Sequence, residues 1–202
     1  MTPADPAQAT AAVGEHRARL LAAMAEALRD NPFAEVTVSE VVRRARTSRR
    51  TFYQHFADRD ACLVALLQDR NTQTVASVEA AIDPELPLPE QVTQAVAAWI
   101  EEVAADPGLT LAWIREVPAL GSAGRELTRL ANDAFADLIA RVAEEAGAGD
   151  LVADRAPLAL VLIGGLRELV ARAVEDGEDV RQLGDAAASA ALALLSGASP
   201  PE

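Results

Sequence analysis

The 202-residue sequence predicts an all-α fold of about nine helices, divided between a small N-terminal and a larger C-terminal domain. Three observations predict it. Half of the residues are apolar but only 3% are aromatic, so the core is built from Ala, Leu and Val, and Ala and Leu favour helices over strands. Apolar residues recur at spacings of three and four, as in Leu20, Leu21, Met24 and Leu28. Pro and Gly fall at intervals that punctuate helices, and no segment alternates as a strand does.

Residues 1–12 are small and polar with two prolines, and are expected to be disordered. A first helix is predicted over 13–29, stopped at Asn31-Pro32 because the proline ring blocks the turn before it. Phe33 then returns to the core. Two short helices are predicted at 37–44 and 48–55, and a longer one over 58–81. Pro84, Pro87 and Pro89 mark a loop before helices at 89–105 and 106–117; Asp106-Pro107 reads as an N-cap followed by proline at the first helical position. Pro118, Gly121 and Gly124 are expected to break the chain ahead of a helix over 125–146, which Gly147 and Gly149 end. The last two helices are predicted at 154–176 and 179–196, with Gly177 and Gly197 as stops. The domains are placed at 13–62 and 63–197.

Several classes are excluded. Cys62 is the single cysteine, so neither an intrachain disulfide nor a cysteine-based zinc site can form. There is no long uncharged apolar run and no basic, apolar leader, so a cytoplasmic protein is expected. His16 and His55 lack a neighbouring nucleophile or carboxylate arrangement, and Gly164-Gly165 lacks the spacing of a phosphate loop; neither catalysis nor a cofactor or metal is expected. The net charge of −13 is unevenly spread. Residues 1–70 hold ten Arg against nine acidic residues, whereas 71–202 hold eight against 22. An acidic body repels phosphate and leaves nucleic-acid contact to a locally basic patch.

That patch lies in Thr37-Val-Ser-Glu-Val-Val-Arg-Arg-Ala-Arg-Thr-Ser-Arg-Arg-Thr-Phe-Tyr-Gln-His-Phe56. Thr37 and Glu40 have capping-box spacing, and Val38, Val41 and Val42 form an apolar stripe. Ser48 can cap the second helix, whose Phe52 and Phe56 face the core. The rest of its surface carries Arg49, Arg50, Thr51, Tyr53, Gln54 and His55, donors suited to phosphates and base edges. These features describe a helix-turn-helix with a recognition helix.

Thr51-Phe-Tyr-Gln-His-Phe56, followed by Ala57-Asp-Arg-Asp-Ala61, resembles the DNA-binding signature of the tetracycline-repressor (TetR) family over roughly 15–67. The resemblance implies phosphate contacts from Thr37, Tyr53 and His55, with Arg50, Thr51 and Gln54 nearest the bases. Thr47 and Ser48 of the turn join that surface. Arg59 stands where the family usually has Lys, and is expected to bind phosphate. The family usually has Gly in the turn where this chain has Arg46; a left-handed non-glycine residue costs roughly 1 kcal/mol, and its guanidinium adds a phosphate contact.

The same resemblance implies a distal domain that dimerises and binds a small-molecule effector. Leu162, Leu166, Leu169 and Ala173 form one stripe, Leu183, Ala187, Ala190 and Leu194 another, and Gly164-Gly165 points to close backbone approach in a four-helix interface between two subunits. Trp99, Trp113 and Phe135 are the large distal aromatics expected at a pocket for a lipophilic or aromatic ligand, with Arg115 or Glu116 orienting its polar group. The expected function is a ligand-responsive repressor that binds a near-palindromic operator as a homodimer. A ligand-binding or protein-interaction dimer with a vestigial head stands as the alternative.

Overall fold

The computed structural model describes the backbone of residues 6–147 and 156–196. Among these residues it is all-α, with helices α1 (Pro6–Asp30), α2 (Val38–Arg44), α3 (Arg49–His55), α4 (Arg59–Ala80), α5 (Leu88–Ala105), α6 (Pro107–Glu116), α7 (Gly121–Glu145), α8 (Ala156–Glu175) and α9 (Gly184–Ser196). Three short 3-10 turns, Phe33–Glu35, Val117–Leu120 and Val180–Leu183, complete it. The chain divides into two compact units, Met1–Asp69 and Arg70–Glu202, with the boundary inside α4.

In the first unit α1 packs on both short helices. Leu20 and Met24 of α1, Val36, Val41 of α2, Phe52 of α3 and Leu63 of α4 are all completely buried. Phe33 is buried as expected, and Phe56 closes the same core. Thr37 caps α2 by accepting from the Glu40 N–H at 3.2 Å, but the capping box is only half formed. The Glu40 carboxylate turns forward to Arg44 instead, at 2.8 Å, because an i,i+4 cation competes better for it than a backbone N–H does. Ser48 caps α3 through the Thr51 N–H at 3.0 Å.

The expected disorder of residues 6–12 is corrected: α1 starts at Pro6. The run is Ala-rich, and proline is tolerated at a first helical position, where its missing N–H would have had no partner anyway. Residues 1–5 lie outside the described residues, as do the expected boundaries at Gly149, Asp154 and Gly197.

In the second unit α5, α8 and α9 share a core of Val96, Ile100, Val103, Val170, Ala187 and Ala191. Asp106, buried, caps α6 by accepting from the Leu109 N–H at 3.2 Å, with Pro107 following as the sequence predicts. Helix α7 starts four residues earlier than predicted, and its glycines are the reason rather than the obstacle. Gly121 turns the corner at φ 62, and Gly124 passes so close to Val117 that a Cβ there would overlap the Val117 carbonyl oxygen. The segment predicted as one helix over 179–196 is a 3-10 turn capped by Asp179 followed by α9. No described helix is long and apolar enough to cross a membrane.

Candidate nucleic-acid interface and ligand cavity

The turn between α2 and α3 is tight. Arg46 adopts φ 49, the one non-glycine residue with positive φ among the described residues, so the left-handed position is kept without glycine. Arg19 of α1 holds it there, donating to the Ala45 carbonyl at 2.7 Å and the Arg46 carbonyl at 2.9 Å. These are α2 C-terminal carbonyls that the helix itself leaves without partners.

The head's arginines fall into two groups. Arg17 pairs with Asp69 at 2.9 Å, Arg19 binds carbonyls, and Arg44 bridges Asp30 at 2.7 Å and Glu40. Asp30 and then Glu40 hold the Arg44 guanidinium above its ordinary pKa. Arg59 belongs to this structural group, which corrects its expected role. Its guanidinium donates to the Phe33 and Val36 carbonyls, both at 3.0 Å, and lies 4.0 Å from the Phe33 ring centroid. A planar fork with several donors satisfies two carbonyls and a ring face at once, and the arrangement ties the start of α4 to the 3-10 turn.

Arg43, Arg46, Arg49 and Arg50 form the second group. All four are exposed and make no ion pair among the described residues. Arg49 and Arg50 occupy the first turn of α3, where no acidic residue balances them and the helix dipole opposes positive charge. That placement lowers α3's own stability slightly. Tyr53 is 53% exposed although its ring meets Phe52 edge-on at 5.4 Å, so its hydroxyl is turned out from a ring held in place. Gln54 is exposed, and Thr51 and His55 are half-buried. Thr37 and Ser48 are exposed with their oxygens at the two caps, and Thr47 is half-buried beside them. The structure thus gathers the sequence-predicted residues, Arg59 apart, around the turn and the outer side of α3.

In the second unit a cavity of about 120 Å³ opens between α5, α7, α8 and the end of α4. Trp99 and Phe135 line it, as expected, with Val78, Leu138, Ile163 and Leu166 among the other wall residues. The remaining expected ligand residues lie elsewhere. Arg115 is drawn to Glu175 at 2.7 Å and Glu168 at 3.1 Å, which raise its pKa, because these carboxylates on α8 offer a fork-to-fork match. Glu116 and Trp113 do not reach the wall. The charged residue on the wall is Arg167, which sequence reasoning missed. Its signal was available: one arginine inside the apolar run Leu158–Val170, in register with Ile163.

The outward side of α8 also differs from expectation. Leu162 and Ala187 are buried in the chain's own core, and Leu166, Leu183 and Leu194 pack against it. That face is turned inward, so it is not available to a second copy. Leu169 is 44% exposed and continues with Leu160, Val161, Gly164 and Gly165 as an exposed apolar strip. A Cβ on either glycine would meet nothing within 4 Å. Ala190 is exposed on α9.

A paired-helix head with a cationic, donor-rich outer helix defines the class of helix-turn-helix DNA-binding proteins. Residues 20–66 match the family profile described as bacterial regulatory proteins, tetR family. No curated protein sequence matches the chain. Among solved structures, the chain is similar to the fatty acid degradation regulator FadR from Bacillus halodurans, with 18% identity, TM-score 0.74, and 92% of this chain and 97% of that one covered. It is also similar to FadR from Bacillus subtilis in complex with stearoyl-CoA, at 17% identity and TM-score 0.72, covering 89% and 98%. A TetR-like transcriptional regulator from Rhodococcus sp. RHA1 is 21% identical with TM-score 0.66, covering 91% and 97%. Residues 20–66 thus carry a head of the tetR-family type, and the all-α fold is shared with these solved structures along nearly the whole length of the chain.

Proposed function

We propose that this protein is a ligand-responsive repressor that binds a near-palindromic operator as a homodimer and leaves it when an apolar small molecule enters the cavity of the second unit. The unpaired set Arg43, Arg46, Arg49 and Arg50, beside the exposed Tyr53 and Gln54, carries the DNA-binding part. Arg50, Thr51 and Gln54 read bases, while Thr37, Arg46, Thr47, Ser48, Arg49, Tyr53 and His55 hold the backbone.

The exposed strip of Leu160, Val161, Gly164, Gly165 and Leu169 supports dimerisation through α8, because side-chain-free positions let a second helix approach closely. Two-fold pairing sets two α3 helices roughly 34 Å or a multiple of that apart on DNA. Helix α4 supports the switch: it brings Val78 to the cavity wall and Cys62 and Leu63 to the head core. A ligand that favours one position of α4 favours one spacing of the recognition helices, and only that differential affinity releases DNA. A FadR relative of the same fold is solved with stearoyl-CoA, which supports an apolar effector.

The test is fluorescence anisotropy of labelled DNA from the chain's own upstream region, with sedimentation to give the mass of the complex. The reading expects two chains, or a multiple of two, per fragment, and release by a ligand that also displaces an apolar dye. A monomer on DNA, or a complex that no cavity ligand dissociates, contradicts it.

A further inference from the structure

Arg167 sits on α8 with its guanidinium toward two other elements of the second unit. Nη1 donates to the Asn132 side-chain oxygen on α7 at 2.8 Å, and the guanidinium lies 5.6 Å from the Trp113 ring on α6. No carboxylate among the described residues pairs with it. This is unusual company for a cation in an acidic unit, where Arg115, Arg141, Arg172 and Arg181 all have carboxylate partners. Burial pulls the Arg167 pKa down to about 10, so its charge is less well solvated than in water. No buried side-chain nitrogen or oxygen among the described residues lacks a partner, so the donors that Asn132 leaves over are not sealed in. A guanidinium has five N–H donors in a fork that fits a carboxylate with two parallel bonds.

The rest of the wall is hydrocarbon and aromatic: Trp99, Phe135, Leu138, Ile163 and Leu166 stand around the cavity. Its volume, about 120 Å³, is close to that of an engineered protein cavity of about 150 Å³ that holds one benzene molecule. Asn132 and Trp113, neither of them a wall residue, hold one side of the guanidinium, and the apolar wall sets the body size.

We propose that the effector is a compact apolar monocarboxylate, of the size of benzoate or octanoate, whose carboxylate is bound by the Arg167 fork while its body fills the space against Trp99 and Phe135. This rests on the cavity being the effector site, and it names the chemistry of the ligand. A stearoyl chain exceeds about 120 Å³ and would have to run out through the cavity's open side. Arg167 is a specificity residue here: the hydrocarbon wall binds any body that fits, and the cation selects the acid over the neutral isostere.

Binding is measured without DNA, through the intrinsic fluorescence of Trp99 and Trp113, with octanoate against octanol, benzoate against benzyl alcohol, and stearate. The acids are expected to bind at least about tenfold more tightly than their alcohols, as a charge-assisted pair provides, and stearate more weakly than octanoate. Arg167→Met is expected to erase the acid preference and leave alcohol binding within about threefold. Equal affinity for acid and alcohol in the unaltered chain, no binding of any probe, or stearate binding as tightly as octanoate overturns the proposal without need of a variant. A preference that survives in Arg167→Met overturns it too. Arg-dependent octanoate binding that leaves the DNA complex intact supports the carboxylate site while refuting the release mechanism, so the two failures are distinguishable.

Discussion

The guanidinium of Arg19 donates to the carbonyl of Arg46 at 2.9 Å, and so a residue on the first helix fixes a left-handed position in the helix-turn-helix turn. Two substitutions separate strain from support. Arg46→Gly relieves the φ 49 backbone and is expected to raise stability by up to ~1 kcal/mol. Arg19→Met removes the bonds to both carbonyls. Charged hydrogen bonds are worth more than this when buried, but Arg19's side chain is 40% exposed, so a loss of ~1 kcal/mol is expected. Urea denaturation followed by circular dichroism measures both. Shifts of the opposite sign would show that the turn is held by something else.

Arg59 and Arg50 are expected to fail differently when altered. Arg59→Met removes bonds to the Phe33 and Val36 carbonyls, so it lowers the stability of the head by ~1–2 kcal/mol before any effect on DNA appears. Arg50→Ala touches nothing inside the head and leaves the denaturation midpoint unchanged or slightly raised while weakening DNA binding. Melting and binding curves on the same preparations check the contrast. A stable Arg59→Met protein with weakened DNA affinity would return Arg59 to the phosphate contacts.

Gly124→Ala is expected to destabilise the second unit by ~1–3 kcal/mol, because the added methyl overlaps the Val117 backbone carbonyl and a backbone cannot swing away as a side chain does. Gly164→Ala, facing open space, is expected to leave the monomer's stability nearly unchanged or raise it. The same substitution weakens self-association if the α8 strip is the dimer contact. Sedimentation at several protein concentrations reads that second effect; unaltered association would place the contact elsewhere.

Cys62 gives a pH prediction. It is fully buried, and burial pushes its thiol from 9.0 up to about 12. The unfolded thiol ionises above about pH 9 while the folded one stays protonated, so the folded chain binds the extra proton and loses stability as pH rises through that window. The thiol's share of the loss is roughly 1–2 kcal/mol by pH 10. Denaturation midpoints at pH 8 and 10 for the unaltered chain and Cys62→Ala measure it, with a smaller drop expected for the variant. An equal drop in both would assign the loss to other groups. At pH 8 the native thiol is expected to be inert to thiol reagents.

Much of this architecture was legible because short-range rules act alone at the places concerned. Asn31-Pro32 ends α1, Asp106-Pro107 starts α6, and Ser48 caps α3 with side chains that need no distant partner. Phe52 and Phe56, four apart, had one side on which to be buried. What failed depended on tertiary context. Leu162 and Leu169 have the same residue type and share the stripe spacing, yet the approach of α5 and α9 buries one and leaves the other exposed. Arg115 was drawn away by Glu168 and Glu175, which lie more than fifty residues on. Arg59 was misassigned because sequence position alone does not show the carbonyls of the 3-10 turn brought to meet it. Gly121 and Gly124 read as breakers, since nothing local reveals a carbonyl against which only glycine fits.

The electrostatic division among the head's arginines predicts the salt response of DNA binding. Each phosphate contact released with its counterion contributes a slope of about −0.9 in log affinity against log salt. Arg49→Ala and Arg46→Gly are each expected to reduce the slope by about one, whereas Arg17→Ala, whose partner is Asp69, is expected to leave it unchanged. Anisotropy titrations over a range of salt concentrations measure the slopes, and equal effects from all three variants would refute the division.

The outer side of α3 is expected to recognise a particular DNA sequence. The most direct test is footprinting on DNA from the chain's own upstream region and on genome-wide selected fragments, comparing the unaltered protein with Arg50→Ala/Tyr53→Ala. The expected result is a protected near-palindrome that disappears in the double variant, whose stability falls by no more than about 0.5–1.5 kcal/mol, the worth of the lost Phe52–Tyr53 ring contact. The same protected site in both proteins, or equally weak binding to every sequence by the unaltered one, would contradict it.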